Sequence, residues 1–446
     1  MKRTVTSFFD KEYLEYAKYV VENRAIPSCI DGLKPTQRKV VYIANKIWKT
    51  GNEKPMKLFQ LAGRVAAEAF YHHGNTSLES SMVGMAQKFK NSLPLLEGIG
   101  QFGSLRSPSA GAPRYISAKL HPNFRLLYQD FELLDNKIEE GEKIEPEHFL
   151  PIVPTVILNG TSGIAVGFAT NILNRNPKDV VDACISEVNG KRMKTLAPWI
   201  EEFKGTFTRD LENPKTWKIS GSYQVINTNT VKITAIPPNY TYERYEEILN
   251  LLQEKGIITS YDDNSSETIE YVLKFRRSVL KDLISKDRLE RSLRLNTQET
   301  ENLTTIDENG ELKIFNKAEE IVKHFVSVRL GWYQTRKDYL INKTEKQLAL
   351  VTNKARFIKD IIDGKLKINN VPKDKIIAYL KTNDYDTVHG SYDYLLSMAI
   401  HSLTKERYEK LLQEKEGCVI ALKTIKATDP KEMYLTDLKK LKAAIK

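Results

Sequence analysis

Residues 35–48 read PTQRKVVYIANKIW, and the reading of this stretch decides what stands around it. Proline suits the first turn of a helix, where its missing N–H leaves no bond unmade. Val41, Ala44 and Trp48 then recur at the spacing of one helical face, with Arg38 and Lys39 carried along. Upstream, residues 10–26 form a second amphipathic pattern, with Tyr13, Tyr16, Ala17 and Val20 on one face and Pro27 just past its end. Downstream, KTGNEKP (49–55) breaks the chain. KLFQLAGRVAAEAFY (57–71) resumes helical spacing through Leu58, Leu61, Val65 and Phe70. Thr76-Ser77-Leu78-Glu79 is a capping-box pattern opening another helix that runs through Met85. Short helices joined by tight turns predict a helix-turn-helix or winged-helix DNA-binding domain over residues 1–150. The loop QFGSLRSPSAGAPRYISAKL (101–120) comes next, as a wing or an active-site loop.

Charge supports that reading. The chain of 446 residues carries a net charge of +11, and residues 1–130 hold 19 Lys and Arg against 10 Asp and Glu. The remainder holds 49 against 47, so nearly all the excess lies beside the loop, where a polyanion would be gripped. No apolar run reaches the roughly 20 residues of a membrane helix, and the opening residues lack a secretory pattern. The three cysteines, Cys29, Cys184 and Cys418, have no metal spacing and fit a reduced, cytoplasmic protein.

Between residues 151 and 316 the pattern becomes mixed α/β, a domain set apart from the first. Strand-like runs occur at PTVILN (154–159), GIAVGF (163–168), WKISGSYQVI (217–226), TVKITAI (230–236) and TIEYVLKF (268–275), with a helix over 242–256. Residues 317–362 then run helical without a proline, about 65–70 Å of rod. Leu348, Val351, Ala355, Ile358 and Ile362 keep the 3/4 spacing of a coiled-coil seam. A second rod over 404–446 carries Tyr408, Leu411, Cys418, Leu422 and Ile425 on one stripe, and a compact helical head (363–403) lies between the two. The expected fold is therefore mixed α/β and multidomain, ending in a long antiparallel coiled-coil stalk; an irregular helical bundle is the alternative.

Several motifs carry less than they promise. GIGQFG (98–103) matches a dinucleotide fingerprint, but the residues before it are not strand-like and those after it form no helix. Adjacent His72 and His73 point to different faces of a helix with no further ligands nearby, and Asp384-Tyr385-Asp386 reads as a solvated turn in the head. The sequence thus offers no catalytic metal site of its own. The pair Arg-Tyr occurs three times, at Arg114-Tyr115, Arg244-Tyr245 and Arg407-Tyr408, and only the first lies in a glycine-rich loop of the basic domain. A phenol of ordinary pKa, about 10, is a weak nucleophile; a neighbouring guanidinium favours its ionised form and stabilises charge on a phosphoryl group. The chemistry in view is attack on a phosphodiester, or alternatively stacking of a wing-loop tyrosine on a base.

YLEYAKYVVENRAIPSCIDGLKPTQRKVVY (13–42), YHHGNTSLESSMVGMAQKF (71–89), GQFGS (100–104), PRYISAKL (113–120), NGTSGIAVGFATNI (159–172) and YDYLLSMAIHSLTKERYEKLLQEK (392–415) resemble, in order, the breakage-reunion region of type IIA DNA topoisomerases. The YHHG form resembles the eukaryotic and phage branches more than the gyrases. The resemblance implies a winged-helix cleavage domain, a tower domain over 151–316, and a stalk whose head dimerises as an exit gate. It implies that Tyr115 is the nucleophile that joins the 5′ end of the cut strand, with Arg114 its transition-state partner and His73 beside the scissile phosphate. It places Arg38, Lys39, Lys57 and His72 near the bound duplex, and Ile164 as an apolar wedge between base pairs. Phe168 stands where methionine or tryptophan is usual. Mg2+ and ATP are implied to bind a partner chain carrying TOPRIM and ATPase domains, and two copies of each chain would form a clamp on double-stranded DNA. The competing readings are a non-catalytic DNA-binding architectural protein with a coiled-coil dimer, and a metal-independent tyrosine recombinase or nickase.

Overall fold

Gly32 sets the first turn of the structure. Its φ is +67°, and a Cβ there would lie 2.5 Å from both Thr155 Oγ1 and Val156 N, so only glycine fits. The computed structural model describes residues 9–50, 53–266 and 268–445. Residues 1–8, part of the opening read for a secretory signal, lie outside that range, as do Gly51 and Asn52 of the expected break and Lys446 of the second rod. Two compact units are present, one of Met1–Arg329 with Leu435–Lys446 and one of Leu330–Tyr434.

In the first unit, α1 (Leu14–Val20) is continued at both ends by π-helical turns, and α2 (Pro35–Ile47) starts on the proline. Strand β1 (Met56–Lys57) leads into α3 (Leu58–Glu68), and α4 (Asn75–Ala86) comes after it. Helix α4 begins at Asn75 on Gly74, with no side-chain cap, so the expected capping box does not form. Strands β2 (Leu96–Ile99) and β3 (Ser117–Leu120) complete an antiparallel sheet of order β1-β3-β2, with Met56 opposite Ala118 and Gly98 opposite Ala118 from the other side. Val41, Ile43, Ala44, Leu58, Leu61, Val65, Leu78 and Met82 are fully buried between these helices and the sheet.

A polar hub stands in that interior. The Asp31 carboxylate accepts from Arg38 Nε at 2.7 Å, Arg38 Nη2 at 3.0 Å, Leu33 N at 3.0 Å and Phe149 N at 3.1 Å. Its backbone carbonyl accepts from Tyr128 Oη and Thr155 Oγ1. Residues 155–158 form a helical turn, not the strand expected of PTVILN, and all four are buried. A short apolar run carries no period of its own. GIAVGF likewise is no single strand: it straddles the tip of a hairpin, β4 (Thr161–Ile164) with β5 (Ala169–Ile172), closed by Ala165 N to Phe168 O at 2.8 Å.

Beyond it, β6 (Thr206–Arg209), β7 (Thr216–Ser220), β8 (Ser222–Asn227), β9 (Thr230–Ala235), β10 (Ser260–Asp263), β11 (Tyr271–Lys274) and β12 (Asn296–Thr300) make two antiparallel sheets of order β6-β7-β12 and β8-β9-β11-β10. Helix α5 (Tyr242–Glu254) packs Tyr245 and Leu249 on Val231, Ile233, Tyr271 and Leu273. At the edge of this region Glu301 is buried, accepting from both Arg175 Nη atoms (2.9 and 2.7 Å), Trp217 Nε1 (2.8 Å) and Leu173 N (2.9 Å). The hairpin β13 (Leu303–Ile306) with β14 (Leu312–Phe315) leads to α6 (Ala318–Ile362), a helix of 45 residues.

In the second unit, α6 runs antiparallel to α7 (Lys405–Ala427). Val351, Ala355 and Ile358 pack on Leu411, while Glu345 pairs with Lys426 at 2.7 Å. Ile362 is exposed, so the expected seam stops one turn short. The expected second rod is also interrupted: α7 ends before Thr428, and Pro430 starts α8 (Pro430–Ala444), because proline offers no N–H to the preceding turn. Residues 363–403 collect around Phe357, Leu380, Tyr385 and Leu395. Tyr385 is buried there and donates to Asp360 at 2.7 Å, so its segment is more than a solvated turn.

Candidate active site

The loop between β2 and β3 is glycine-rich, yet it is pinned. Arg106 is 6 % exposed and donates to the carbonyls of Ile236 (2.6 Å), Pro237 (2.8 Å) and Tyr240 (2.9 Å). Burial brings its pKa down to about 10. Gln87 Nε2, from the end of α4, holds the carbonyls of Phe102 (2.8 Å) and Pro108 (3.0 Å), and Gly111 N closes on Gln101 O at 2.8 Å. The glycines of GIGQFG serve this packing. A Cβ on Gly98 would lie 2.6 Å from the Phe102 ring, and one on Gly103, at φ +80°, 2.7 Å from Pro108 O. The motif begins within a strand, Gly98 and Ile99 belonging to β2, but no helix opens beyond it. Of the two loop arginines only Arg114 is left at the surface; Arg106 and Gln87 are anchors that composition gave no means of singling out.

Tyr115 lies near the end of this loop, 70 % exposed, two residues before β3 starts. Its N–H bonds Ala112 O at 2.9 Å, and the Arg114 guanidinium lies 5.0 Å from its ring centroid. Lys57 Nζ donates to the Tyr115 carbonyl at 2.8 Å, while Leu58 N bonds Ile116 O and Phe59 N bonds Pro113 O. The start of α3 is therefore stitched to the tyrosine turn on both sides of the phenol. Tyr245 is fully buried and bonds Leu293 O, and Tyr408 packs in the helix pair, so neither of the other Arg-Tyr pairs presents a hydroxyl in this way.

The remaining expected site residues divide. His73 Nε2 lies 3.0 Å from Tyr19 Oη with its ring edge-on to Tyr71, and exposed His72 meets Glu139 at 3.2 Å. Ile164 is 87 % exposed at the tip of the β4–β5 hairpin, with Phe168 partly exposed beside it. The hairpin base is fixed: Lys34 Nζ donates to Ser162 O at 2.6 Å, and a Cβ on Gly163 would meet Ala25 O at 2.3 Å. Burial lowers the Lys34 pKa. Arg38, expected near the duplex, is paired inside the domain. It is 5 % exposed, and Nε and Nη2 of its guanidinium are committed to Asp31 and Leu33 O. Lys39 is also turned inward, to Glu145 at 3.1 Å and to Ala69 O.

The family model of the DNA gyrase/topoisomerase IV A subunit matches residues 24–442. The DNA topoisomerase medium subunit of Enterobacteria phage T4 is 35 % identical over 445 residues, covering 99 % of both chains. The mitochondrial DNA topoisomerase 2 of Dictyostelium discoideum is 34 % identical over 98 % of this chain, and DNA topoisomerase 2 of Arabidopsis thaliana 32 % over 99 %. The chain spans only 35 % and 33 % of those two relatives. Among solved structures, the DNA-binding, cleavage and re-ligation domain of Plasmodium falciparum topoisomerase II superposes with a TM-score of 0.86 at 33 % identity, over 98 % of this chain and 64 % of that one. With an exposed tyrosine held beside cationic side chains and a match that runs almost end to end, the chain belongs to the DNA gyrase/topoisomerase IV A-subunit family of type II DNA topoisomerases.

Proposed function

We propose that this chain is the DNA-cleavage and religation subunit of an ATP-dependent type II topoisomerase. The observation that carries the reading is the exposed Tyr115 hydroxyl on an anchored loop, flanked by Arg114 and Lys57. In the forward step the Tyr115 oxygen attacks a backbone phosphorus. The P–O3′ bond breaks, the 3′ oxygen leaves as a hydroxyl after taking up a proton, and the 5′ phosphate stays on the tyrosine. Reversal reseals the strand. Arg114 stabilises charge on the phosphoryl oxygens, and His73, held by Tyr19, binds beside the scissile phosphate. Each chain cuts one strand, so a double-strand break needs two copies, with the helical segment 363–403 as a second dimer contact. We read residues 1–150 as a winged-helix domain, 151–316 as the tower, and the α6–α7 pair as the coiled-coil stalk.

Mg2+ and ATP are assigned to a partner carrying TOPRIM and ATPase domains. Among the described residues the three-donor cluster is Cys29, Glu308 and His324, a set unsuited to a hard cation that takes oxygen ligands. The test is a plasmid relaxation assay on the reconstituted complex, with and without ATP and Mg2+, together with trapping of a 5′-phosphotyrosyl adduct. Relaxation without any adduct on this chain refutes the assignment. No helix among the described residues is long and apolar enough to cross a membrane.

Two variants probe the supports of the site. Arg106→Ala removes three bonds from the loop; because small misplacements of a reacting group are amplified in rate, cleavage is expected to fall about 10²-fold while duplex affinity changes less than about threefold. Single-turnover cleavage and a binding isotherm check this, and unchanged cleavage refutes the anchoring role. Ile164→Ser leaves an exposed position without structural consequence, so Tm should hold while protein-induced DNA bending, read by end-to-end energy transfer, is lost. Full bending by that variant rules out the wedge.

A further inference from the structure

The turn that carries Gly32 lies against the β13–β14 hairpin through backbone bonds, Cys29 N to Ile306 O at 2.7 Å and Ile306 N to Pro27 O at 2.9 Å. These bonds fix the Cys29 side chain beneath the hairpin turn. Glu308 comes from that turn and His324 from the second turn of α6. The Cys29 Sγ, one His324 nitrogen and one Glu308 carboxylate oxygen all lie within 4.8 Å of one another. His324 Nε2 and Glu308 Oε2 are 2.8 Å apart, and both residues reach solvent while Cys29 is buried.

We propose that Cys29, His324 and Glu308 form a binding site for a borderline transition-metal ion of the Zn2+ class, separate from the cleavage chemistry. One thiolate, one imidazole and one carboxylate, with a water in the fourth position, is a tetrahedral set for such an ion and a poor one for Mg2+. Tetrahedral donors stand roughly 3–4 Å apart, a contraction that rotation of the two partly exposed side chains supplies. Ion binding expels the thiol proton of Cys29. Glu308 also lines a cavity of about 620 Å³, with Ser28, Ile306 and Asp307 beside it. Lys313 Nζ lies 3.2 Å from His324 Nδ1 and must swing away, which makes it the opposing charge of the site. The bound ion ties the first turn, the hairpin and α6 together, residues remote in sequence.

Cobalt(II) reports the site directly. Under reducing conditions the full chain is expected to bind one Co2+ with thiolate-to-cobalt charge-transfer absorption in the near ultraviolet and tetrahedral bands in the visible. Zn2+ should displace it; excess Mg2+ should not. Cys29→Ala is expected to lose the charge-transfer band, and His324→Gln to keep its circular dichroism while binding weakens by at least about tenfold. Lys313→Met should bind more tightly than the parent. Absence of the band in the parent chain, or its persistence in Cys29→Ala, where Cys184 and Cys418 remain, overturns the proposal.

Discussion

Tyr115→Phe is expected to abolish DNA cleavage and supercoil relaxation, a loss of about four orders of magnitude or more, while leaving the fold and duplex binding intact. Removing a nucleophile leaves only binding and charge stabilisation, and losses of that order are usual when the attacking atom is deleted. The substitution removes one oxygen from a ring that is 70 % exposed, so no cavity forms and no buried partner is orphaned. The bonds that shape the turn come from backbone groups and from Lys57 to the Tyr115 carbonyl, all of which phenylalanine keeps. The contact of Arg114 with the ring also survives, since it is made to the π-face. Affinity for a duplex is therefore expected to change less than about twofold, and the slope of log K against log salt not at all. The measurement is denaturant-resistant protein–DNA adduct and plasmid relaxation in the reconstituted complex, beside a binding isotherm. Residual relaxation in this variant places the nucleophile elsewhere. A matching loss of binding makes the tyrosine a DNA contact, as the architectural reading requires.

How much of this site the sequence reveals depends on what is periodic and what is not. The helices around Arg38 and Leu61 were legible because their apolar residues recur with the helical repeat over several turns, whereas the one around Met82 was read from a capping pattern that the structure does not form. The four residues 155–158 are apolar throughout and too few to show a period, and only their packing on Gly32 decides their form. The Arg114–Tyr115 pair was legible as chemistry in a loop, but not the rigidity that makes it useful. That comes from Arg106 reaching residues 236–240 and from Gln87 reaching across the loop, contacts over 15 to 134 positions that no local pattern encodes. The same blindness hides the partners of Arg38 and Lys39. A basic residue on an amphipathic helix reads as a surface cation unless its buried acid is known, and Asp31 and Glu145 are visible as partners only once the chain is folded. The pair Arg175 and Glu301, 126 positions apart, left no trace in the sequence for the same reason.

The buried Arg38–Asp31 pair makes the second large prediction, and stability rather than affinity is its readout. Asp31 is fully buried and its two carboxylate oxygens receive four donors, two from Arg38 and two backbone N–H groups. Asp31→Asn puts an NH2 where two of those donors point and leaves the Arg38 charge buried without a counter-ion. Removing one partner of a buried pair costs about 3–5 kcal/mol, because the desolvated survivor is uncompensated. For a unit of this size that corresponds to a Tm lower by roughly 4–7 °C. Arg38→Met should destabilise by a similar amount, since it strands the carboxylate instead. The double variant Asp31→Asn, Arg38→Met should cost clearly less than the two single losses added, because each substitution removes the reason for the other's penalty. A phosphate-binding arginine behaves differently: its loss leaves Tm near the parent and lowers the salt slope of DNA binding by about one. Calorimetry on the three variants and a salt titration of Arg38→Met below its melting range separate the two outcomes. A reduced salt slope with an unchanged Tm returns Arg38 to the DNA interface; the Asp31 carboxylate, already saturated by that guanidinium, is why the opposite is expected.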